Sequence, residues 1–211
     1  GPGYPNAFYD PYNAKAKDVY WREVRDGIAA KGFDAWWLDS DEPDFHSNLS
    51  IAERIRRMGP TAAGPAAALF NSYPLEHVEG VYDHWLQFKP DVRPFILTRS
   101  GFGGIQRAGA AIWSGDVASR WDNLRDQISA GINMSMSGVP NWSHDIGGYT
   151  MEDRFLKPTA AGLAEWRELN TRWFQFGAFS PIFRSHGENI KREIFEMSPA
   201  GSPTYRAMAS Y

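Results

Sequence analysis

The feature of this chain that most constrains its fold is a repeated pattern in which a short apolar run ends abruptly in Asp, Arg or His. The pattern occurs five times, in runs that begin near residues 33, 95, 110, 139 and 179, and amphipathic stretches separate several of them. Runs of this length are typical of strands buried in a parallel sheet. Because the sites of barrel enzymes lie at the carboxyl ends of parallel strands, the pattern predicts an α/β fold with its catalytic edge at these polar residues.

The number of runs predicts only part of a closed barrel. A (β/α)8 TIM barrel has eight strands, so five predict a partial barrel that lacks about three upstream strands. We predict that the first run, Phe33 to Leu38, is buried on both faces. Two further expectations concern the later chain: a helix that ends at Gly131, followed by an extended segment at 132–137, and a last strand at 179–183. Helical spacing of apolar residues also predicts helices over 75–88 and 158–176, and a capping-box pair, Ser50 and Glu53, predicts a helix start.

Length, charge and cysteine content exclude several classes of protein. The 211 residues are 43% hydrophobic and carry a formal net charge of −3, which fits one globular domain and disfavours a nucleic-acid or anionic-membrane surface. No apolar run approaches the length of a membrane span. The chain has no cysteine, so it has neither a disulfide framework nor a thiolate zinc site. This leaves the compartment open; we favour a periplasmic or extracellular location over a cytoplasmic one.

The aromatic content points to a carbohydrate partner. The chain contains nine Trp, 20 Gly and 14 Pro, which indicates many tight loops and many flat rings that can stack on the C–H faces of sugars. A Trp-rich core with ordinary loops is the alternative. Trp166 and Trp173 lie at helical spacing with Leu163 and Leu169, so we assign these two Trp residues to the core.

The polar residues after the predicted strands suggest the chemistry. Asp39, Asp116 and Asp145 each follow one strand, and Arg99 and His186 follow two others, so all five converge on one rim. Two carboxylates facing a sugar can catalyse retaining glycoside hydrolysis, in which one attacks the anomeric carbon and the other acts as acid and then as base. That reaction needs no metal or cofactor. A metal site is the competing use of these acids, but the sequence lacks closely spaced His ligands and Arg99 would repel a cation.

Five ordered motifs resemble those of glycoside hydrolase family 31, the α-glucosidase and α-xylosidase family. The segment at 35–44, AWWLDSDEPD, resembles the nucleophile segment of the family, and the segment at 112–116, IWSGD, resembles its acid/base segment. Three further segments resemble its sugar-binding motifs in the same order: TRSG at 98–101, HDIGG at 144–148 and FRSHG at 183–187. Together these motifs cover almost the whole chain.

The resemblance implies a role for each candidate residue. Asp39 would be the nucleophile and Asp116 the acid/base, with their carboxyl groups about 5 to 6 Å apart as in retaining enzymes. The hydroxyl groups of the cleaved sugar would be held by Arg99, Asp145 and His186. Trp37 and Trp113 would line the pocket, and Tyr149 falls where the family usually has an aromatic residue. Asp145 lies in the more conspicuous motif, but the resemblance assigns it to hydroxyl binding.

The family fold places this chain in a larger molecule. The resemblance implies that residues 1–211 form the C-terminal part of a catalytic barrel, about strands 4 to 8, with the rest of the barrel and flanking β-domains elsewhere in a multidomain enzyme. The segment after Asp39 is closer to bacterial α-xylosidases than to α-glucosidases, which favours an α-xylosidase acting on xyloglucan-type substrates. An α-glucosidase, an α-transglucosylase and a non-catalytic sugar-binding barrel are the alternatives.

The two catalytic roles raise an electrostatic question. Asp116 precedes a predicted helix, and we expect the N-terminus of that helix to stabilise the charged carboxylate. A negative charge on Asp39 would oppose this effect and favour the protonated form of Asp116.

Overall fold

The computed structural model describes residues 8–44 and 49–211. The chain divides into two compact units, one that runs up to Ile112 and one that runs from Trp113 to the C-terminus. Helices are interspersed with short strands in the first unit, and helices predominate in the second. None of the described helices is both long and apolar enough to cross a bilayer.

The first unit combines helices with short parallel strands. Its helices are α1 (Ala14–Gly27), α2 (Ile51–Met58), α3 (Ala66–Leu69) and α4 (Tyr73–Phe88), and its strands are β1 (Ala35–Leu38), β2 (Phe95–Thr98) and most of β3 (Ala111–Trp113). β1 pairs with β2 in parallel, with Leu38 opposite Thr98, and β2 pairs with β3 through Leu97 and Ala111. The carboxyl ends of β1 and β2 therefore meet at one edge, where Asp39 and Arg99 follow.

Aromatic side chains form the core of the first unit. Trp85 of α4 is fully buried, and its ring packs edge-on against Trp36 of β1 and Trp21 of α1, with ring centroids 5.5 and 6.4 Å away. The Trp85 indole N–H donates to the Val92 carbonyl oxygen at 2.6 Å, so this buried ring leaves no polar atom without a partner. The two helices are thereby fixed against the same face of β1.

The second unit is built around a long central helix. It contains α5 (Trp121–Met136), β4 (Trp142–Ser143), α6 (Asp153–Leu156), α7 (Ala160–Gly177), α8 (Ile194–Met197) and α9 (Pro203–Ala209). Thr159 caps the start of α7, since its hydroxyl oxygen accepts from the Gly162 amide at 3.1 Å. Trp166 and Trp173 of α7 are buried in the core of this unit. The assignment of these two rings to the core rather than to a ligand is confirmed.

Three local predictions are wrong. β1 is buried on one face only: Trp36 and Leu38 are buried, whereas Ala35 and Trp37 are exposed. Residues 132–136 belong to α5, which does not end at Gly131. The segment at 179–183 is not a strand; the nearest sheet pairing is a single parallel bridge between Ile146 and Ser185.

Packing explains why α5 continues through Gly131. A Cβ atom at this position would lie only 2.7 Å from the ring of Trp142. The glycine therefore permits a close approach of α5 to β4 rather than marking a helix end. Helix propensity is a weak preference that such packing overrides. Other predicted helices match α4 and α7, and the Ser50 hydroxyl oxygen accepts from the Glu53 amide at 3.2 Å at the start of α2, as expected.

Candidate active site

Asp39 lies at the end of β1, where the chain turns sharply. Its Oδ1 accepts from the Ser40 amide at 2.8 Å and lies 3.1 Å from a terminal nitrogen of Arg99. Ser40 has a φ of +58°, in the left-handed region that non-glycine residues seldom occupy. The Asp39 side chain is nevertheless 49% exposed. The turn thus holds one carboxylate oxygen firmly and presents the group at the strand end.

Arg99 brings most of the neighbouring acids together. Its side chain is only 7% exposed and forms ion pairs with Asp39, with Glu42 at 2.7 Å and with Asp44 at 3.4 Å. Arg54 of α2 shares Asp44 at 3.3 Å. The dense acidic run after β1 therefore has a structural role as an anchor for Arg99. Within the described part of the chain, no group of His, Cys, Asp and Glu has the arrangement of a metal site.

Asp41 differs from the other acids of this run because it points inward. It is 3% exposed; its Oδ1 accepts from the Ser100 amide at 3.1 Å, and its Oδ2 makes a short hydrogen bond with the Thr98 hydroxyl. Burial raises the pKa of Asp41 to about 7, although the hydrogen bond with Thr98 acts in the opposite direction. Asp41 is not among the residues predicted from the sequence to form the site.

Trp37 occupies the open face of β1, two residues before Asp39. Its side chain is 54% exposed, in contrast to Trp36 on the opposite face. Strand alternation explains the difference, because neighbouring side chains point to opposite faces. An exposed indole next to a strand-end carboxylate provides a flat apolar surface of the kind that sugar rings stack on.

Asp116 lies in an exposed turn that follows β3 in the second unit. Gly115 has a φ of +75°, and the Val117 amide donates to the Gly115 carbonyl oxygen at 2.9 Å, so the chain reverses around Asp116. The following helix, α5, begins at Trp121. Asp116 therefore precedes a helix that contains Trp121 and Leu124, as predicted. The stabilisation of its charged carboxylate by that helix stays a prediction.

Asp145 is buried, with its charge paired inside the second unit. The side chain has no exposed surface, and its Oδ1 lies 2.5 Å from a terminal nitrogen of Arg184. The Arg184 guanidinium lies 5.5 Å from the ring centroid of Trp113. This cation links a predicted hydroxyl-binding acid to a predicted pocket tryptophan. Arg184 was not predicted as a site residue, although it lies in the same motif as His186, because the resemblance implies a role for the histidine alone.

Tyr149 and His186 stack on each other. Their ring centroids are 5.6 Å apart with an interplanar angle of 29°, and the Glu188 amide donates to the Tyr149 carbonyl oxygen at 3.1 Å. Two segments distant in sequence therefore meet at this pair. The arrangement brings together two residues that the sequence predicted separately as sugar contacts.

Arg192 is hydrogen-bonded to both of the segments that carry Tyr149 and His186. Its side chain is 4% exposed and donates to four carbonyl oxygens: those of Gly148 and Ile190 at 2.6 Å, Glu188 at 3.1 Å and Tyr149 at 3.3 Å. Burial lowers the pKa of Arg192 to about 10, although Asp145 acts in the opposite direction. No periodicity or motif distinguished Arg192, because its partners are backbone atoms.

Gly187 provides room for the Arg192 side chain, and Gly148 lets two backbone segments lie close together. A Cβ atom at Gly187 would overlap the guanidinium group and lie 2.7 Å from the Gly148 carbonyl oxygen. Gly148 has a φ of +79°, and a Cβ atom at this position would lie 2.6 Å from the Ser119 amide nitrogen. The glycines of these two segments therefore allow close approach of backbones, as does Gly131.

His144 precedes Asp145 and is a neutral core residue. Its Nδ1 accepts from the Trp173 indole N–H at 2.9 Å, so its Nε2 carries the proton and donates to the Ser180 hydroxyl at 3.0 Å. Burial lowers the pKa of His144 to about 4, and Arg184 adds to this effect. His144 thus supports the Asp145 segment from behind.

Parallel strands that end in acids and arginines are typical of a segment of a (β/α)-barrel enzyme. The model of the family 31 glycosyl hydrolase TIM-barrel domain matches residues 1–211, so the chain belongs to that family. The fold is an α/β fragment of a TIM barrel, as predicted.

The relatives include both xylosidases and glucosidases. A family 31 alpha-xylosidase from Xanthomonas citri has a solved structure that is 57% identical, with a TM-score of 0.94 over 99% of this chain and 23% of that one. An "Alpha-xylosidase" from Saccharolobus solfataricus is 36% identical over 88% of this chain and 24% of its own length. "Alpha-glucosidase 2" from Bacillus thermoamyloliquefaciens is 32% identical over 86% and 21%. The chain therefore spans about a quarter of the length of these relatives.

Proposed function

We propose that this chain carries both catalytic acids of a retaining exo-acting α-glycosidase whose preferred substrates are terminal α-xylosides. The observation that carries the proposal is the 57% identity and 0.94 TM-score to a family 31 alpha-xylosidase over 99% of the chain. The placement of acids after parallel strands supports the same reaction class. The rest of the barrel and the flanking β-domains would complete the enzyme.

Asp39 is the proposed nucleophile. Among the described residues both contacts of its carboxylate involve Oδ1, which leaves Oδ2 for attack on the anomeric carbon. Arg99 and the Ser40 amide fix the orientation of the group before the sugar arrives, and this lowers the entropic cost of reaching the reactive geometry. The attack forms a covalent glycosyl–enzyme ester and expels the leaving-group oxygen.

Asp116 is the proposed acid/base. It donates a proton to the leaving oxygen in the first step and removes a proton from the attacking water in the second. Its exposed turn is compatible with both the leaving group and water reaching it. Asp116 is exposed, whereas Asp145 is buried in its ion pair with Arg184, and a buried position suits a fixed hydroxyl acceptor better than a group that exchanges protons.

The remaining contacts would be made by rings and charged groups. In this proposal Trp37 and Trp113 line the pocket, Arg99, Asp145 and His186 hold hydroxyl groups, and Tyr149 stacks on His186. Arg184 contributes by orienting Asp145. None of these steps needs a metal or cofactor.

The test uses the full-length protein with aryl α-xyloside and aryl α-glucoside. We expect kcat/KM to be at least tenfold higher for the xyloside, and NMR spectroscopy to detect the α-anomer of the sugar as the first product. A preference for the glucoside would favour an α-glucosidase or an α-transglucosylase, which the relationship to "Alpha-glucosidase 2" supports. Binding without turnover would favour a non-catalytic sugar-binding barrel and contradict the proposal.

A further inference from the structure

The buried carboxyl group of Asp41 is the starting point. It lies in the first unit, directly behind the turn that carries Asp39. Its two oxygens connect that turn to the end of β2, since Oδ2 contacts the Thr98 hydroxyl and Oδ1 accepts from the Ser100 amide at 3.1 Å. Arg99 lies between these two residues in the chain. Asp41 therefore joins the segments that present Asp39 and Arg99.

A count of donors indicates which protonation state this network needs. The Thr98 hydroxyl oxygen also lies 3.1 Å from the Ser100 carbonyl oxygen, and Thr98 has no exposed surface. A hydroxyl has one proton to donate, whereas a carboxylate and a carbonyl can only accept. Both contacts become hydrogen bonds when Asp41 carries a proton on Oδ2. The protonated carboxyl group then donates a hydrogen bond to the Thr98 hydroxyl oxygen, and the Thr98 hydroxyl donates to the Ser100 carbonyl oxygen.

The surrounding charges favour the same state. Asp39, Glu42 and Asp44 already surround the Arg99 guanidinium, and the nearby carboxylate of Glu42 adds to the effect of burial in raising the pKa of Asp41. Among the described residues, Tyr9, Tyr20 and Tyr73 are close enough to Asp41 to interact with it electrostatically, and His77 packs against Tyr9 and Tyr20.

These neighbouring groups stay neutral near pH 7. Burial raises the pKa of each of the three tyrosines, and nearby carboxylates, Asp41 among them, add to this effect. Burial lowers the pKa of His77 to about 4, and Lys17 adds to this effect. His77 also hydrogen-bonds to the Tyr9 hydroxyl at 2.6 Å. Within this group Asp41 is therefore the member that titrates near neutral pH.

We propose that Asp41 is a positioning residue that works in its neutral form, donating a hydrogen bond to Thr98 and thereby holding the nucleophile turn against the Arg99 segment. Loss of the proton leaves Thr98 with two competing acceptors and places an extra negative charge near Glu42. The nucleophile turn is then held less firmly. This inference rests on the proposed function for its catalytic consequence, whereas its structural part does not.

The variant Asp41→Asn tests the proposal in the full-length enzyme. The amide nitrogen can donate to Thr98 and the amide oxygen can accept from the Ser100 amide, so the network is retained at every pH. We expect Asp41→Asn to keep kcat/KM within about twofold of the wild type at pH 6. We also expect its Tm advantage over the wild type to grow from pH 4 to pH 7 and then level off.

Matched variants separate this role from a general need for charge. Asp44→Asn removes a carboxylate that is also buried but is paired with Arg99 and Arg54, so we expect at least a tenfold loss of kcat/KM with no pH-dependent gain in Tm. Thr98→Val should raise KM and lower Tm, because it removes the relay hydroxyl. Thr98→Ser should restore most of the activity.

The outcomes are distinct. The proposal is overturned if Asp41→Asn behaves like Asp44→Asn at pH 6, or if its Tm difference from the wild type does not change between pH 4 and pH 7. A full-length wild type that lacks glycosidase activity would contradict the proposed function instead. In that case the Tm comparison still decides the protonation state of Asp41.

Discussion

The hydrogen bonds of the Arg192 side chain predict how much its replacement should lower the free energy of unfolding. The perturbation is Arg192→Met, which keeps most of the apolar stem and removes the guanidinium group. The change leaves the carbonyl oxygens of Gly148, Tyr149, Glu188 and Ile190 without this donor. The Tyr149 and Glu188 carbonyl oxygens keep a backbone donor, from the Glu188 and Ile190 amides, and the Gly148 carbonyl oxygen keeps the Ser119 hydroxyl at 3.4 Å. The cost is therefore that of the lost hydrogen bonds themselves: about 1 kcal/mol each, so about 4 kcal/mol for the four.

Part of this cost is offset. Burial of the guanidinium group is itself unfavourable, as the lowered pKa of Arg192 indicates, and the variant removes that penalty. We therefore expect a net destabilisation of about 2 to 3 kcal/mol, within the usual range for breaking a buried polar network. This corresponds to a fall in Tm on the order of 5 to 10 °C.

The functional consequence follows from the position of the contacts. Gly148 and Tyr149 belong to one site segment, and Glu188 follows the motif that contains His186. Loss of the Arg192 hydrogen bonds should therefore separate the stacked rings of Tyr149 and His186. We expect KM for the aryl α-xyloside to rise at least tenfold, with a smaller effect on kcat. Full-length Arg192→Met is assayed by differential scanning calorimetry and by steady-state kinetics.

Two controls make the result interpretable. Arg192→Lys keeps the charge but reaches fewer of the four carbonyls, so its effect should be intermediate. Arg172→Met removes an arginine whose ion pair with Glu168 is 53% exposed; exposed pairs contribute about 0 to 1 kcal/mol, so Tm should change little. If Arg192→Met were as stable as Arg172→Met and kept the wild-type KM, the Arg192 hydrogen bonds would have no positioning role.

Three further predictions concern packing, protonation and the extent of the chain. Gly131→Ala should destabilise the protein by about 1 to 3 kcal/mol in urea unfolding, despite the better helix propensity of Ala, because the new Cβ overlaps the Trp142 ring. The pKa of His144 is lowered to about 4 in the folded state, so the unfolded state binds more protons between about pH 4 and 6.5. The free energy of unfolding should therefore fall as the pH drops through that range. His144→Gln should reduce this dependence on pH. Residues 1–211 expressed alone should be inactive towards aryl α-glycosides and should self-associate on size-exclusion chromatography, since strand edges and apolar surfaces that the complete enzyme covers would be open; turnover by a monomeric preparation would contradict this.

The parts of the fold that the sequence predicted are those where one local signal dominates. The apolar stripes of α4 and α7 and the polar residues after β1, β2 and β3 satisfied simple periodicity and boundary rules. The end of α5 was mispredicted because Gly131 was interpreted as a backbone signal, whereas the structure uses its small size against Trp142. A single residue cannot reveal which of these two properties matters until its neighbour in space is known.

The site shows the same limit. Asp39, Arg99 and the Asp145 segment were predicted as site residues because they follow strands and match ordered motifs. Arg184, Arg192 and Asp41 were missed because their roles depend on partners far away in sequence or on backbone carbonyls, which leave no pattern. The acidic run after β1 did indicate a dense charge cluster, but only the structure shows Arg99 at its centre and Asp41 turned away from it.

The measurement that tests the central claim most directly is azide rescue of the full-length Asp39→Ala and Asp116→Ala variants on an activated aryl α-xyloside, with product stereochemistry determined by NMR spectroscopy. Without its nucleophile, Asp39→Ala should use azide for a single displacement and give the β-glycosyl azide. Asp116→Ala should still form the covalent intermediate and then give the α-glycosyl azide, while losing activity on a natural disaccharide whose leaving group needs a proton. If Asp116→Ala slowed activated and natural substrates equally and Asp145→Ala gave the leaving-group dependence and the α-azide instead, the acid/base role would belong to Asp145 and not to Asp116.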